Sequence, residues 1–280
     1  MPAAGRVITI DGPAGTGKSS VASQLAQRLG WSLLDTGAMY RAVALAALRQ
    51  NQSLDDGPNL APLLATLRFS QRNRQFLLND EDVSQAIRTP QIAQAASRVA
   101  RHFEVRSTLV HWQRQLAENA DLVTEGRDQG TIVFPRAVCK FFLTASPEAR
   151  ALRRFRELQA SDASATYESV LAEQRERDAR DSSRDLAPLA PATDALIVDT
   201  TSLPLDQVAD FCERWARAHT LENQPTPSAN SNLAVVENPD TGKWLAVAGS
   251  AQDAQTAARQ FLETTRHHII TPTTAHPSPP

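Results

Sequence analysis

Cysteine is scarce in the sequence, and neither sign of charge predominates. Cys139 and Cys212 are the two cysteines among 280 residues, and both lie beside apolar neighbours at a spacing unlike that of metal ligands. We therefore expect two reduced core thiols rather than a disulfide framework or a zinc site. The formal net charge of −2 argues against binding of nucleic acid by bulk electrostatics, so any affinity for phosphate must come from a local site.

Long apolar runs are also missing. No run approaches the roughly 20 residues that a membrane-spanning helix needs, so no membrane partner is expected. Residues 1–6 lead directly into a β-rich run, and the pattern of a signal peptide is absent. Hydrophobic residues make up 41% of the chain, which is enough for a packed core, and we expect a globular protein of the cytoplasm.

Five short apolar runs alternate with helical patterns along the first 220 residues. Each run has the length and composition of a buried strand. They lie at residues 7–10, 31–34, 121–124, 140–144 and 195–199. This alternation is typical of an α/β fold, and it predicts a five-stranded parallel sheet with helices on both faces.

The first of these strands leads into a glycine-rich loop. Gly12–Ser19 matches G-x-x-x-x-G-K-[ST] in full, between a strand and a helix, which is the context that supports a phosphate-binding loop. The glycines keep side chains away so that backbone N–H groups can converge on phosphate oxygens. Lys18 can reach the β- and γ-phosphates, and Ser19 can ligate Mg²⁺. The residues expected to hold a nucleoside triphosphate are Gly12, Pro13, Ala14, Gly15, Thr16, Gly17, Lys18, Ser19 and Ser20.

Two polar pairs follow other strands of the predicted sheet. Tyr40 and Arg41 fall in the first turns of a helix after the second strand, and Arg127 and Asp128 follow the third. Each pair has an ordinary interpretation. Tyr40 and Arg41 could form a solvated helix end, and Arg127 and Asp128 could pair with each other. However, ligands of parallel sheets lie at the carboxyl ends of strands, where a cation can clamp a second phosphate.

The segment Glu173–Arg184 is densely charged. If it is helical, Arg177, Arg180 and Arg184 fall on one face, with Asp178 and Asp181 beside them. Such runs are usually solvated salt-bridge faces. This one has no aliphatic residue larger than alanine, and a helix that is polar all round is poorly anchored by packing. In a chain with a phosphate loop, we interpret it as a lid that closes over phosphates.

Five motifs in collinear order resemble the bacterial cytidylate kinase (CMP kinase) family of nucleoside monophosphate kinases. They extend over residues 1–220, and the second and fourth are far more specific than the phosphate loop. The motifs are IDGPAGTGKSS (10–20), LDTGAMYRA (34–42), NDEDVSQAIRT (79–89), EGRDQGTIVFP (125–135) and ERDARDSSRDLAPL (176–189). Asp80 and Gln129 depart from the glycine and the apolar residue that the family commonly has.

The resemblance implies a P-loop kinase that uses ATP and Mg²⁺ to phosphorylate CMP and dCMP. Arg41 and Arg127 would hold the CMP phosphate, and Asp128 would face the cytosine amino group. The implied catalytic residues are Lys18, Arg127, Arg177 and Arg184. The implied CMP-binding residues are Thr36, Tyr40, Arg41, Ser97, Arg106, Arg127, Asp128, Arg177, Asp181 and Arg184. We expect a monomer whose partners are the small nucleotides ATP, CMP and dCMP.

Two other interpretations of the sequence stay open. One is a kinase of the same class with another acceptor, such as UMP, dTMP or shikimate. The other is a P-loop switch or nucleotide-binding module without transfer activity. A switch would be expected to lack a second phosphate clamp, so Arg41, Arg127 and the arginines of the charged segment argue against it.

The domain organisation follows from shifts in composition. A kinase-like domain is expected at 1–220, with a small β-containing monophosphate-binding insert at about 60–105 and a helical lid at about 157–187. An Asn/Pro/Ser/Thr-rich linker at 221–232 is followed by a hairpin-and-helix appendage at 233–268 and a disordered tail at 269–280. The appendage lies outside the resemblance, and we assign it no function.

Overall fold

The computed structural model describes residues 5–72, 75–159, 165–220, 233–237 and 244–248. Its strands and helices are β1 (Val7–Asp11), α1 (Lys18–Leu29), β2 (Ser32–Asp35), α2 (Thr36–Arg49), α3 (Gly57–Thr66), β3 (Phe69–Arg72), β4 (Gln75–Leu78), β5 (Glu81–Asp82), α4 (Pro90–Val99), α5 (Phe103–Ala117), β6 (Leu122–Gly126), β7 (Cys139–Thr144), α6 (Pro147–Gln159), α7 (Tyr167–Ser182), β8 (Leu196–Asp199), α8 (Leu205–Thr220), β9 (Leu233–Glu237) and β10 (Trp244–Ala248).

The main sheet contains the predicted five parallel strands in the order β2-β6-β1-β7-β8. All five residues of β1 are buried because strands and helices cover it on every side. In the parallel register Asp11 lies beside Gly126, and Asp35 lies beside Glu125. The carboxyl ends of β1, β2 and β6 therefore meet at one edge, where polar residues replace the apolar ones of the strands.

Helices cover both faces of this sheet, as the alternating pattern predicts. On one face α1 and α8 pack over Ile8, Ile10 and Phe141. On the other face α2 to α5 form a larger core with Leu34 and Leu122. Since both faces are covered, the strands can be apolar throughout, which is why they read as continuous runs in the sequence.

The predicted antiparallel element is present as a second sheet of β3, β4 and β5. The turn between β4 and β5 lies at Asn79 and Asp80, whose φ angles are 50° and 68°. Asn and Asp tolerate this left-handed conformation better than other residues that carry a Cβ atom. Phe69 packs edge-on against Trp112 of α5 with ring centroids 4.5 Å apart, which anchors the small sheet to the helical face.

The C-terminal strands extend the main sheet. β9 and β10 are antiparallel to each other, as the hairpin interpretation predicts, and β10 runs parallel to β8 with Leu245 beside Ile197. The complete order is β2-β6-β1-β7-β8-β10-β9. The predicted linker at 221–232, the predicted helix of the appendage and the predicted tail at 269–280 lie outside the described residues. In the described ranges, no helix is both long and apolar enough to cross a membrane.

Removal of residues 221–280 should lower stability because it uncovers the outer edge of β8. We expect the free energy of unfolding to fall by about 1–3 kcal/mol, since the backbone hydrogen bonds between β8 and β10 are lost. That corresponds to a decrease in Tm of roughly 2–12 °C for a domain of this size.

The matching point variant is Ala246→Pro, which deletes an N–H from a strand that pairs on both sides. Thermal unfolding followed by circular dichroism compares both variants with the intact chain. An unchanged Tm in the two variants would show that the hairpin contributes nothing to the sheet.

Candidate nucleotide site

A pocket of about 280 Å³ opens where the carboxyl ends of β1, β2 and β6 meet. Side chains from α1, α2, α4, α5 and α7 surround it. It is lined by Ala14, Gly15, Lys18, Ser19, Thr36, Gly37, Tyr40, Arg41, Ala93, Ala96, Ser97, Ala100, Arg106, Glu125, Gly126, Arg127, Asp128, Arg177, Asp181 and Arg184. Every residue predicted for the acceptor is in this set. The predicted loop residues Gly12, Pro13, Thr16, Gly17 and Ser20 do not line the pocket, whereas the other four do.

The phosphate loop adopts a backbone that only glycine accommodates well. Gly12, Gly15 and Gly17 have φ angles of 144°, 80° and 90°. A Cβ atom on Gly12 would lie 2.0 Å from the carbonyl oxygen of Leu143. Helix α1 begins directly after Gly17, and no side chain caps its first N–H groups. These donors and the helix dipole are therefore directed toward the pocket, which suits an anion.

Lys18 is buried at the mouth of this loop. Its Nζ donates a hydrogen bond to the carbonyl oxygen of Pro13 at 2.5 Å. Burial lowers the pKa of Lys18 to about 7, and repulsion from Arg127 adds to this, while Glu125 acts in the opposite direction. An anion in the pocket would favour the protonated amine, so the site is electrostatically incomplete without one.

Ser19 and Glu125 form an oxygen pair beside Lys18. The Ser19 hydroxyl donates to Glu125 Oε1 at 2.8 Å. Burial raises the pKa of Glu125, and Asp35 adds to this effect. The described residues contain no group of three His, Cys, Asp or Glu side chains that could hold a metal ion. A hydroxyl and one carboxylate nevertheless fit Mg²⁺, which proteins usually hold by one or two carboxylates together with substrate phosphates.

Sequence reasoning did not single out Glu125. The available signal was its position, because Glu125 ends a strand that neighbours the strand of the phosphate loop. The sequence predicts both strands, although it does not show that they are adjacent.

Arg106 and Asp128 form a buried ion pair at the far end of the pocket. Arg106 Nη2 donates to Asp128 Oδ2, and its guanidinium lies 5.9 Å from the ring centroid of Tyr40. Burial raises the pKa of Tyr40 to about 12, so its hydroxyl stays neutral. The ordinary interpretation, in which Asp128 pairs with the adjacent Arg127, is wrong. The pair instead joins α5 to the end of β6.

A second carboxylate, Asp181 of α7, binds two arginines. Arg127 Nε donates to Asp181 Oδ2 at 3.0 Å, and Arg184 Nη2 donates to Asp181 Oδ1. Burial alone would raise the pKa of Asp181, but Arg127, Arg184 and Arg177 outweigh it and lower the pKa. Burial and then Arg127 lower the pKa of Arg177 to about 10, so it remains charged at neutral pH. Three arginines surround this one carboxylate, so the cluster keeps a net positive charge that can bind phosphates.

The charged segment is helical up to Ser182, and two of the three arginines predicted to share a face reach the pocket. Arg177 lines the pocket, and Arg184 reaches it from the turn after the helix. Arg180 does not line the pocket, and its Nε lies 3.6 Å from Glu176 Oε1. The structure therefore brings Arg177 and Arg184, but not Arg180, to the pocket.

Small residues form the wall between the two ion-pair clusters. Ser97 of α4 is flanked on the same helix face by Ala93, Ala96 and Ala100, all of which line the pocket. Helix α4 packs against α2, which carries Tyr40. Alanine side chains are short, so this part of the pocket wall leaves room for a ligand. Sequence reasoning predicted Ser97 but missed the alanines, because alanine on a helix carries no chemical signal.

Asp11 holds the turn that follows Asp128. Its two carboxylate oxygens accept hydrogen bonds from the backbone N–H groups of Gln129 at 2.9 Å and Gly130 at 2.7 Å. The Gln129 side chain accepts from Thr124 Oγ1 and donates to Gln113 Oε1. Polar Gln129 therefore has partners inside the protein, which explains how it can stand where the family commonly has an apolar residue.

Asp11 should make stability depend on pH. Burial raises the pKa of Asp11 from 3.8 to about 6, although the N–H groups of Gly130 and Gln129 act against this. The folded state therefore holds this proton more tightly than the unfolded state does. The stabilisation is complete below the unfolded pKa and is lost as pH rises through about 6.

Asp11→Asn cannot titrate and is the matched reference. The free energy of unfolding of the intact chain, minus that of Asp11→Asn, should fall by up to about 3 kcal/mol between about pH 4 and pH 7. Urea unfolding at intervals across this range measures the difference. A difference that stays constant with pH would contradict the raised pKa.

Known proteins resemble the chain over nearly all of the described kinase-like part. A family model for cytidylate kinase matches residues 8–217. A cytidylate kinase of Shewanella loihica is 46% identical over 224 residues, covering 78% of this chain and 96% of the relative. Cytidylate kinase 1 of Haemophilus influenzae is 47% identical over 208 residues, covering 73% and 90%.

The family model spans the phosphate loop, the small second sheet and the arginine-rich helix together. An Enterobacter cytidylate kinase is 47% identical over 221 residues and is covered to 97% of its length. The match to the family model includes all the residues that line the pocket and stops before β9 and β10. The chain is a phosphotransferase that belongs to the cytidylate kinase family.

Proposed function

We propose that the chain transfers the terminal phosphoryl group of ATP to CMP or dCMP, giving ADP and CDP or dCDP. One observation carries this proposal: a single pocket is lined both by residues of a phosphate loop and by a cluster of arginines. A nucleotide-binding switch needs only the first. The name cytidylate kinase, shared by relatives at 46–47% identity, supports cytidine nucleotides as acceptors.

The donor phosphates fit at the phosphate loop. Uncapped N–H groups of α1, the flanking glycine backbone and buried Lys18 all present positive potential there. Ser19 and Glu125 would hold Mg²⁺, which supplies neutralisation of phosphate charge when it is bound. Catalysis then depends on this chain's cations, with Lys18 on the donor and Arg127, Arg177 and Arg184 around the transferring group.

The acceptor nucleotide fits on the opposite side. Arg41 and Arg127 lie where they can hold its phosphate, and each is already balanced by a carboxylate, Asp35 or Asp181. Thr36 is fixed by a hydrogen bond from its hydroxyl to the Glu125 carbonyl at 2.7 Å. The base would lie near Asp128, whose free acceptor capacity suits an amino group.

No general base is needed for this reaction. A phosphomonoester has its second pKa near 6, so the attacking oxygen is already largely ionised at neutral pH. Catalysis therefore consists of positioning and charge neutralisation of a loose transition state. Helix α7 and the turn after it would act as a lid, with Arg184 on the transferring phosphates and with Arg177 and Asp181 beside the sugar, and its closure would exclude water that could otherwise hydrolyse ATP.

Formation of ADP in the presence and absence of acceptor tests the proposal. ADP should form rapidly with CMP or dCMP, more slowly with UMP or dTMP, and barely with shikimate or with no acceptor. Rapid ADP formation without acceptor, or none with any of them, would overturn it. A preference for UMP would keep the reaction but change its acceptor.

We further propose that the enzyme works as a monomer in the cytoplasm. All the residues that we assign to the acceptor come together in the pocket of this chain. Sedimentation velocity under assay conditions tests this, and a dimer at assay concentrations would contradict it.

A further inference from the structure

Arg150, near the start of α6, is a buried arginine that does not line the nucleotide pocket. Only 3% of its surface is exposed. A buried guanidinium is costly unless it is paired and hydrogen-bonded, so its partners indicate what holds it there.

The side chain of Arg150 joins three parts of the fold. Its Nη1 donates to the carbonyl oxygen of Ala14 in the phosphate loop at 3.1 Å, and Nε donates to the carbonyl oxygen of Ala145 at 3.0 Å. Its Nη1 also lies 2.7 Å from Asp178 Oδ2 of α7. The Arg150 carbonyl accepts from Gln174, again of α7, at 3.3 Å.

The phosphate loop packs directly against these residues. A Cβ atom on Gly15 would lie 3.1 Å from Arg150 Cβ and 3.1 Å from Gln174 Nε2. A side chain at position 15 would therefore crowd α6 and α7, and glycine allows both helices to lie close to the loop. The Arg150 ion pair then links α7 to the loop across this close approach.

The position of Asp178 on α7 connects this ion pair to the pocket. Asp178 is the neighbour of Arg177 and lies one turn before Asp181, and both of these line the pocket. Because a helix is rigid over one turn, the bond from Asp178 to Arg150 fixes how α7 is rotated about its axis. That rotation decides whether Arg177 faces the pocket and whether Asp181 can hold Arg127 and Arg184 there.

We propose that Arg150 is a positioning residue for phosphoryl transfer. It holds α7 against the phosphate loop. Arg177 and Arg184 are then correctly placed relative to donor phosphates bound at residues 14–19. It acts through Asp178 and the Ala14 carbonyl without lining the pocket. The inference rests on the proposed reaction, and it adds a residue that neither the phosphate-loop motif nor the pocket lining indicates.

Three variants test it. Arg150→Met removes the whole link, Arg150→Lys keeps the charge but cannot span Ala14 and Asp178 together, and Asp178→Asn breaks only the ion pair. The control is Arg154→Met on the same helix, whose ion pair with Glu157 is exposed. Misplacement of a catalytic group by about 1 Å can cost 100-fold in rate. We expect kcat to fall about 10- to 100-fold in the three variants and to change less than about 2-fold in the control.

The readouts separate positioning from stability. kcat and both KM values are measured well below each variant's Tm, with folding checked by circular dichroism. The loss should fall mainly on kcat, and Arg150→Met/Asp178→Asn should be no slower than the slower single variant, because both changes break one link. If Arg150→Met does not fold, the kcat of the nearly isosteric Asp178→Asn decides whether the link positions α7.

Two outcomes overturn the inference. One is a lowered Tm with unchanged kcat in Asp178→Asn, and the other is an equal loss in Arg154→Met. Failure of the proposed function would show separately, as an unmodified enzyme that forms no ADP in response to CMP or dCMP.

Discussion

Replacement of Lys18 by alanine should reduce kcat about 100- to 1000-fold and leave the fold intact. The loss follows because preorganised charge aimed at a transition state typically contributes that much to the rate, and Lys18 is the lysine that lines the pocket at the phosphate loop. Its amine donates a hydrogen bond to the Pro13 carbonyl oxygen at 2.5 Å, which holds it at the phosphate loop.

The same variant should not be destabilised. Burial lowers the pKa of Lys18 to about 7, which shows that the fold disfavours its charge. Removal of the amine relieves this cost, so Tm should stay constant or rise. A matched control is Lys140→Ala, another buried lysine, whose amine bonds Pro135 O and Asp194 away from the pocket. That change should lower Tm and leave kcat within about 2-fold.

Steady-state kinetics and thermal unfolding of the two lysine variants therefore give opposite patterns. Lys18→Ala should lose rate without stability, and Lys140→Ala should lose stability without rate. If kcat survives in Lys18→Ala, the phosphate loop does not hold the donor. If Lys18→Ala fails to fold, the low pKa of its amine does not reflect an unfavourable burial.

The parts of the site that the sequence predicts are those that depend on local backbone. Gly12, Gly15 and Gly17 have left-handed φ angles, and a loop with that requirement is visible as a short pattern. The five parallel strands are predictable for a similar reason, because burial on both faces produces continuous apolar runs. Both signals lie within about ten residues of chain.

The missed features depend on contacts between distant residues. The pairs Arg106–Asp128 and Arg150–Asp178 each join residues more than 20 positions apart. Periodicity indicates that a segment is a strand, but not which strand it will pair with. The sequence therefore predicts the β9–β10 hairpin and does not show that β10 continues the main sheet beside β8.

Replacement of Asp128 should change which base the enzyme prefers. Asp128 is buried at the end of the pocket, where it accepts a hydrogen bond from Arg106. A carboxylate has several acceptor sites, so it can also accept from the amino group of cytosine. Uracil presents a carbonyl oxygen at the same position, and that oxygen would be repelled. Discrimination by a buried acceptor of this kind can reach 10⁴-fold.

In Asp128→Ala we expect kcat/KM for CMP to fall about 100-fold or more, while kcat/KM for UMP changes less than about 10-fold. The KM for ATP should stay within about 3-fold, because Asp128 lies on the acceptor side of the pocket. Paired assays with CMP and UMP at saturating ATP measure the ratio. A CMP/UMP ratio equal to that of the unmodified enzyme would show that Asp128 does not read the base.

Asp128→Asn sharpens the same test. The amide keeps the size of the side chain and one acceptor oxygen but adds an N–H₂ donor that can face the uracil oxygen. If Asp128 reads the base directly, kcat/KM for UMP should rise in Asp128→Asn above its value in Asp128→Ala. If it acts only by holding Arg106, both variants leave that guanidinium without its carboxylate and should lose CMP and UMP activity alike. Opposite changes for the two acceptors therefore separate direct reading of the base from support of Arg106.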